Sequence, residues 1–285
     1  MESNIFLDVY KEHRVDLVIN IFERTYRNVL SEGFIDNLSR EILFSFSRRI
    51  VIINNVNNIS NVIELANLAK ERGEIEEYFF VSDNIADALS LTGLTAKDLG
   101  RVPFYSDWAL VASTIKGSRW FVHWDAEVNM QSQIDWISPS IKLMLDREDI
   151  FTCNPGWSKG SAKNSGEIEA VGKDGDFFIG YGFSDQLFLG DRKRMAAKIY
   201  KEFAPASLRY PLSHICSPFE QRVDSYMRNH KLKRATYAYS SYTHPEDEGT
   251  TYPTSNFKEK GRLLLIRAIV KILRRINLSN PSWKI

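Results

Sequence analysis

The chain has 285 residues, of which 44% are apolar, 26% charged and 12% aromatic; this suffices for one large domain with a substantial core and excludes a disordered chain. Two cysteines, Cys153 and Cys216, exclude a disulfide scaffold and a Cys-rich zinc module and point to a reducing compartment, a single disulfide staying open. The net charge of +1 hides a split, with +7 on residues 256–285 and −6 on the rest; basic character is confined to the tail, so a body docked on nucleic acid is not expected.

The first element is an apolar, β-branched strand at 15–22, short enough to be buried on both faces. A turn into a helix follows at about 24–30. A second apolar strand at 49–54 ends in a cluster of Asn54, Asn55, Asn57 and Asn58. Residues 60–72 read as a helix stopped by Gly73. A third strand at 78–81 is closed by Ser82 and Asp83, helices are expected at 84–92 and 106–115, and a fourth strand covers 119–124. Strands alternating with helices predict an α/β fold with a mostly parallel central sheet and helices on both faces. Residues 153–176, rich in Gly, Ser, Lys and acids, read as a long loop able to close over a site. Residues 177–190 are apolar and aromatic around a polar centre, and helices are expected at 191–203 and 218–229, the latter with Glu220, Arg222 and Asp224 on polar positions.

Ligands in such sheets sit beyond the carboxyl ends of the strands. Those ends are polar here: Asn20 and Glu23 near the first, Asn54 and Asn55 after the second, Asp83 after the third, Asp125 and Glu127 after the fourth. The last pair is the most informative. An apolar strand runs out and presents two carboxylates one residue apart, a set of oxygen ligands suited to Mg²⁺ or Mn²⁺ together with substrate phosphates. The alternative is two solvated carboxylates at a strand end. His123-x-Asp125-x-Glu127 also matches part of a metallohydrolase triad, without the second His pair such sites require.

The αβα start, the Asn-rich end of the second strand and Asp125-Ala126-Glu127 after the fourth together resemble a GT-A type nucleotide-sugar glycosyltransferase of the bacterial surface-polysaccharide kind. The resemblance spans roughly 14–250, with Asp125-Ala126-Glu127 departing from the Asp-x-Asp of that class. It implies a GT-A-like domain over 1–255, a Mn²⁺ or Mg²⁺ ion on Asp125 and Glu127, and a nucleotide-sugar donor. It also implies a glycan or lipid-linked acceptor. Asn20, Glu23, Asn54, Asn55, Asp83 and Asp107 become candidates for cradling the nucleotide; turn formation competes at the asparagines, and an N-cap at Ser106 or Asp107. Asp185, in the Gly-aromatic run 180–186, would be the base that deprotonates the acceptor hydroxyl, or a helix N-cap; Glu167 and Glu169 are weaker bases. The aromatics around it suit stacking on sugar rings. His244 would be a further metal ligand or phosphate contact, or a plain loop residue.

The tail is the last informative segment. Leu265, Ile269, Ile272, Leu273 and Ile276 share one face of a helix over 262–276, opposite Arg267, Lys271 and Arg274. This basic amphipathic pattern suits the surface of an anionic membrane, and equally a helix packed on the core. No run of about 18 uncharged apolar residues occurs, and the first residues lack the basic-then-apolar order of a secretory signal. A cytoplasmic protein is expected, peripheral on the inner membrane face if the tail docks there. Two other functions compete: a sugar nucleotidyltransferase, against which the lack of glycine in 22–27 argues, and a membrane-tethered glycan-binding protein without catalysis.

Overall fold

The computed structural model describes residues 13–158, 165–245, 257–276 and 279–285. Its first half is built from β/α units. Strand β1 (Val15–Ile21) leads through the single-turn α1 (Tyr26–Val29) and α2 (Phe34–Ile42) to β2 (Arg48–Ile53). Helix α3 (Ile59–Glu71) follows, and Asn58 caps it by accepting the Asn61 N–H at 3.0 Å. Strand β3 (Glu77–Phe80) runs straight into α4 (Val81–Thr92), so Ser82 and Asp83 lie in a helix rather than closing a strand. Helix α5 (Asp107–Thr114) then leads to β4 (Trp120–Asp125) and the two-residue β5 (Asn129–Met130).

The second half is mixed. Helix α6 (Ile137–Asp146) precedes β6 (Ile150–Trp157); α7 (Ser165–Ile168), β7 (Ala170–Asp174), β8 (Phe177–Gly180), β9 (Leu187–Asp191) and α8 (Arg192–Met195) follow. Helix α9 (Phe219–Asn229), β10 (Lys233–Thr243) and the tail helix α10 (Phe257–Leu273) complete the order. One sheet runs β3-β2-β1-β4-β9-β6-β10-β8-β7, with β5 paired to β10. Strands β1 to β4, β6 and β10 point the same way, while β9 and β8 run against them. The α/β class with a mostly parallel central sheet, helices on both faces and a C-terminal helix is therefore the observed fold.

Alternation along the strands builds two cores. Leu17, Ile19, Val51, Val122 and Trp124 face one way, toward α2, α3 and α6. Val18, Ile50, Ile52, Phe121 and Phe188 face the other way, toward α4, α5 and α9. At the amino end of the sheet Asp16, with no exposed surface, binds Arg48 at 2.8 Å, Arg192 at 3.2 Å and the Ser118 N–H at 2.8 Å. Burial pushes its carboxyl up, and these partners more than reverse that, holding it below its ordinary value.

Several expectations are corrected. The segment 153–176 is not one long loop: its start completes β6 and its end forms α7 and β7, while 159–164 lie outside the described residues. The helix expected over 191–203 stops after one turn. The Met195 carbonyl accepts the Tyr200 hydroxyl, and the Ile199 N–H goes to Ala197 O at 2.8 Å. Arg222 and Asp224 are buried rather than solvated. Both cysteines are free and buried. Among the described residues, no helix is long and apolar enough to cross a membrane.

Candidate active site

Beyond the carboxyl ends of β1, β2 and β4 lies a cleft of about 630 Å³. Asn20, Asn54, Asn55, Asp125, Glu127, Asp185 and His244 all line it. Phe22, Phe104, Tyr105 and Trp108 give it aromatic surface, and Pro211, Leu212 and Pro218 close the far side.

The carboxylates are positioned by the end of β4. Asn20 stands beside Asp125 in the β1–β4 register. The Asp125 N–H donates to Gln186 O at 2.7 Å, which fixes the strand end against the β8–β9 loop. The chain then turns: the Val128 N–H donates to Asp125 O at 3.0 Å and the Glu127 N–H to the Asp125 carboxylate at 2.8 Å. This turn brings Asp125 and Glu127 together, and Glu127 also meets Arg24 at 3.3 Å.

His244 arrives from the other end of the chain. Strand β10 pairs antiparallel with β5, Thr243 opposite Asn129, so the residue after β10 comes back over the 125–128 turn. His244 Nε2 lies 3.5 Å from Asp125 Oδ1. Burial is the largest single influence and opposes charge on this imidazole, but the hydrogen bond and charge of Asp125, the Pro245 carbonyl and the charge of Glu127 together raise the His244 pKa above its ordinary value. One ligand atom each from Asp125, Glu127 and His244 falls within 4.8 Å of the others. Two carboxylates and an imidazole, all half-buried, form a donor set that fits Mn²⁺ or Mg²⁺.

His123 stays out of this cluster. It is fully buried, stacked on Trp108 with centroids 4.6 Å apart, and burial drives its pKa down to about 4. The metallohydrolase triad is thereby excluded.

The nucleotide-side candidates divide. Asn20 is 5% exposed and its buried Oδ1 has no hydrogen-bond partner among the described residues. Asn54 donates to the Asp107 carboxylate at 3.2 Å. Asn55 turns the chain with φ 45°, the left-handed conformation that asparagine tolerates. Asp107 does not line the cleft: it sits behind Asn54, accepts the Trp108 N–H at 2.7 Å, and is pushed up to about 6 by burial. Ser106 occupies the cap position of α5 without a side-chain capping bond. Glu23 lies outside the lining and accepts the Asn57 N–H at 2.7 Å. Asp83 is exposed on α4, holds Ser82 Oγ at 2.8 Å, and is not in the cleft.

Asp185 sits on the β8–β9 loop, not at the start of a helix, so the N-cap alternative fails. Two tyrosines clamp that loop. Tyr210 Oη accepts the Phe183 N–H at 2.7 Å and donates to Phe183 O at 2.8 Å. Tyr242 Oη donates to Gln186 Oε1 at 3.2 Å and lies 3.4 Å from Ser184 Oγ. Gly182 has φ +111°, and a Cβ there would meet Arg209 Nη2 at 2.3 Å, so only glycine fits.

Sequence reasoning missed the partner of Asp185. Glu220, in the first turn of α9, lines the same cleft and accepts the Asp185 N–H at 3.3 Å. Burial, with Glu220 and Asp125 nearby, raises the Asp185 carboxyl well above its usual range. Burial pushes Glu220 up to about 7. Two adjacent buried carboxyls are hard to ionise together, so the pair keeps a proton well above the ordinary carboxylate range. No signal in the sequence marks it, since only the contact with Asp185 sets it apart from any acid in a first helical turn. Glu169 is occupied by Arg209 at 3.2 Å and Arg234 at 2.9 Å, and Glu167 is exposed. Phe183 is buried against Phe188 and Phe219, so the aromatic cleft surface comes from Phe22, Phe104, Tyr105 and Trp108 instead.

No protein-family model matches the sequence, and no curated protein matches it. Among solved structures the chain is similar to glucosyl-3-phosphoglycerate synthase from Mycobacterium tuberculosis with Mn²⁺, UDP-glucose and phosphoglyceric acid. Identity is 8% over 94% of this chain and 84% of that one, with a TM-score of 0.49. It is similar to the mannosyltransferase PcManGT from Pyrobaculum calidifontis with GDP-Man and Mn²⁺, at 11% identity, 95% and 67% coverage, and a TM-score of 0.48. It is also similar to GalNAc-T7 with UDP, GalNAc and Mn²⁺, at 12% identity and a TM-score of 0.47, covering 90% of this chain but 48%, about half, of that one. Identities and scores this low assign no activity, and the chemistry of the cleft rests on its own residues.

Proposed function

We propose that this chain is a metal-dependent glycosyltransferase, moving a sugar from a nucleotide-sugar donor to a hydroxyl of a glycan or lipid-linked acceptor in surface-polysaccharide synthesis. The observation that carries the reading is one cleft lined by both a cluster of potential cation ligands, Asp125, Glu127 and His244, and a pair of carboxyls with raised pKa, Asp185 and Glu220.

Asp125, Glu127 and His244 would hold Mn²⁺ or Mg²⁺, which when bound supplies positive charge against the diphosphate leaving group. Asn20, Asn54 and Asn55, all lining the cleft, offer hydrogen bonds to the base and ribose. Phe22, Phe104, Tyr105 and Trp108 offer apolar faces to a base or a sugar ring. Asp185 takes the proton of the acceptor hydroxyl while its own proton passes to the ionised Glu220, as the acceptor oxygen bonds to the anomeric carbon and the bond from that carbon to the diphosphate oxygen breaks. Glu220 steadies the Asp185 backbone and shares the proton load.

Nucleotide release from a panel of UDP-, GDP- and CMP-linked sugars tests this. Release should require Mn²⁺ or Mg²⁺ and vanish in Asp125→Ala. It should fall about 10²- to 10⁴-fold in Asp185→Asn with donor binding retained. Full turnover of Asp125→Ala in excess EDTA overturns the proposal.

A further inference from the structure

Helix α10 is apolar on two sides. Ile266 and Leu273 are buried, turned toward the body near the turn Pro205–Arg209. The opposite side carries Phe257, Leu264, Leu265, Ile272 and Ile276, the first four more than half exposed. At about 100° per residue the first four, with Gly261 and Ala268, form one outward stripe, and Ile276 follows just past the helix end. The face expected from the sequence is therefore split, with Leu273 inward and Leu264 outward. Exposed Lys260, Arg267 and Lys271 border the stripe along one edge and exposed Lys258 and Arg262 along the other, with exposed Arg274 and Arg275 just past the helix end. The helix has one acid, Glu259, and it is tied to Arg101 at 3.1 Å.

We propose that the outward face of α10 is a docking surface for an anionic lipid bilayer. An exposed apolar stripe bordered by basic side chains lies in the interface plane, its apolar residues in the acyl boundary and its cations among anionic headgroups. Charge decides against the other occupant. A second copy would set the same patch against itself, and with basic side chains on both edges either helix direction brings like charges together with no acid on the outward face to offset them. Docking is independent of the catalytic reading.

The test is flotation of the full chain with vesicles. Phosphatidylcholine vesicles containing about one third phosphatidylglycerol should carry the protein at about 0.1 M salt, and much less at about 1 M. Pure phosphatidylcholine vesicles should carry little. Lys271→Gln with Arg275→Gln should weaken partitioning about 30-fold, at about fivefold per charge. Leu265→Ser with Ile272→Ser should abolish it, with the thermal midpoint within about 2 °C of wild type because both residues are exposed. Failure of the wild type to float with phosphatidylglycerol overturns the proposal. So does a dimer in light scattering that Leu265→Ser with Ile272→Ser dissociates.

Discussion

The Asp185–Glu220 pair makes native stability depend on pH in a direction that substitution of one partner should change. Glu220 moves from 4.5 in the free residue to about 7 in the fold. A tenfold change in a proton's binding constant is worth about 1.4 kcal/mol. The folded protein therefore binds protons here that the unfolded chain has released, and the pair withdraws on the order of 3 kcal/mol as pH rises from about 4.5 to about 7. Its contribution is full below the unfolded pKa and is lost as pH rises through the folded one. Glu220→Gln keeps a hydrogen-bonding side chain of the same shape and removes one ionisation. Urea unfolding in EDTA, at steps from about pH 5 to about pH 8, measures the difference. Wild type should lose stability across that span and the variant distinctly less, so the two converge near pH 5 and the variant is more stable near pH 8. Parallel profiles refute the pairing of these carboxyls.

Three further substitutions test the surroundings of the site. Asp16→Asn leaves Arg192, nearly buried at 9% side-chain exposure, without its counter-charge; it should cost about 3 kcal/mol or more, lower the thermal midpoint by about 6 °C or more, and leave nucleotide affinity unchanged. A loss under about 1 kcal/mol contradicts the ion-pair account. His123→Phe removes a ring whose two nitrogens have no partner among the described residues; stability should hold or rise and Mn²⁺ affinity should not move, whereas a tenfold weaker metal speaks for a ligand role. Gly182→Ala forces a Cβ to 2.3 Å from Arg209 Nη2 at φ +111°; it should cost about 1–3 kcal/mol and lower turnover by shifting the Asp185 loop. Wild-type melting and turnover would rule out that constraint.

The β/α half of the fold was legible because its strands are short apolar β-branched runs and their ends are marked by Asn and Asp. The same logic led to the cleft, since Asn20, Asn54, Asn55, Asp125 and Glu127 all lie at or just past the carboxyl ends of strands. The second half was less legible. Strand β6 contains Pro155 and Gly156, which punctuate loops in most sequences, and β7 is largely exposed, so neither read as a strand. Strand β10 went unread although Thr236, Tyr237, Tyr239 and Tyr242 have the residue types strands favour. That omission hid why His244 reaches Asp125, which depends on the pairing of Thr243 with Asn129. Glu220 resembled any polar residue of an amphipathic helix; only the tertiary contact with Asp185 distinguishes it. Asp83 and Glu23 were drawn in by nearness to strand ends, yet one chain turn carries each away from the cleft.

The central claim is that Asp125, Glu127 and His244 hold a divalent cation that carries a nucleoside diphosphate in the cleft. Calorimetric titration of UDP, GDP and CDP into wild type and Asp125→Ala, each with Mn²⁺ and with EDTA, measures it directly. One nucleotide should bind wild type only with Mn²⁺ and should not bind Asp125→Ala under either condition. Equal affinity with and without Mn²⁺, or unchanged binding to Asp125→Ala, contradicts the claim.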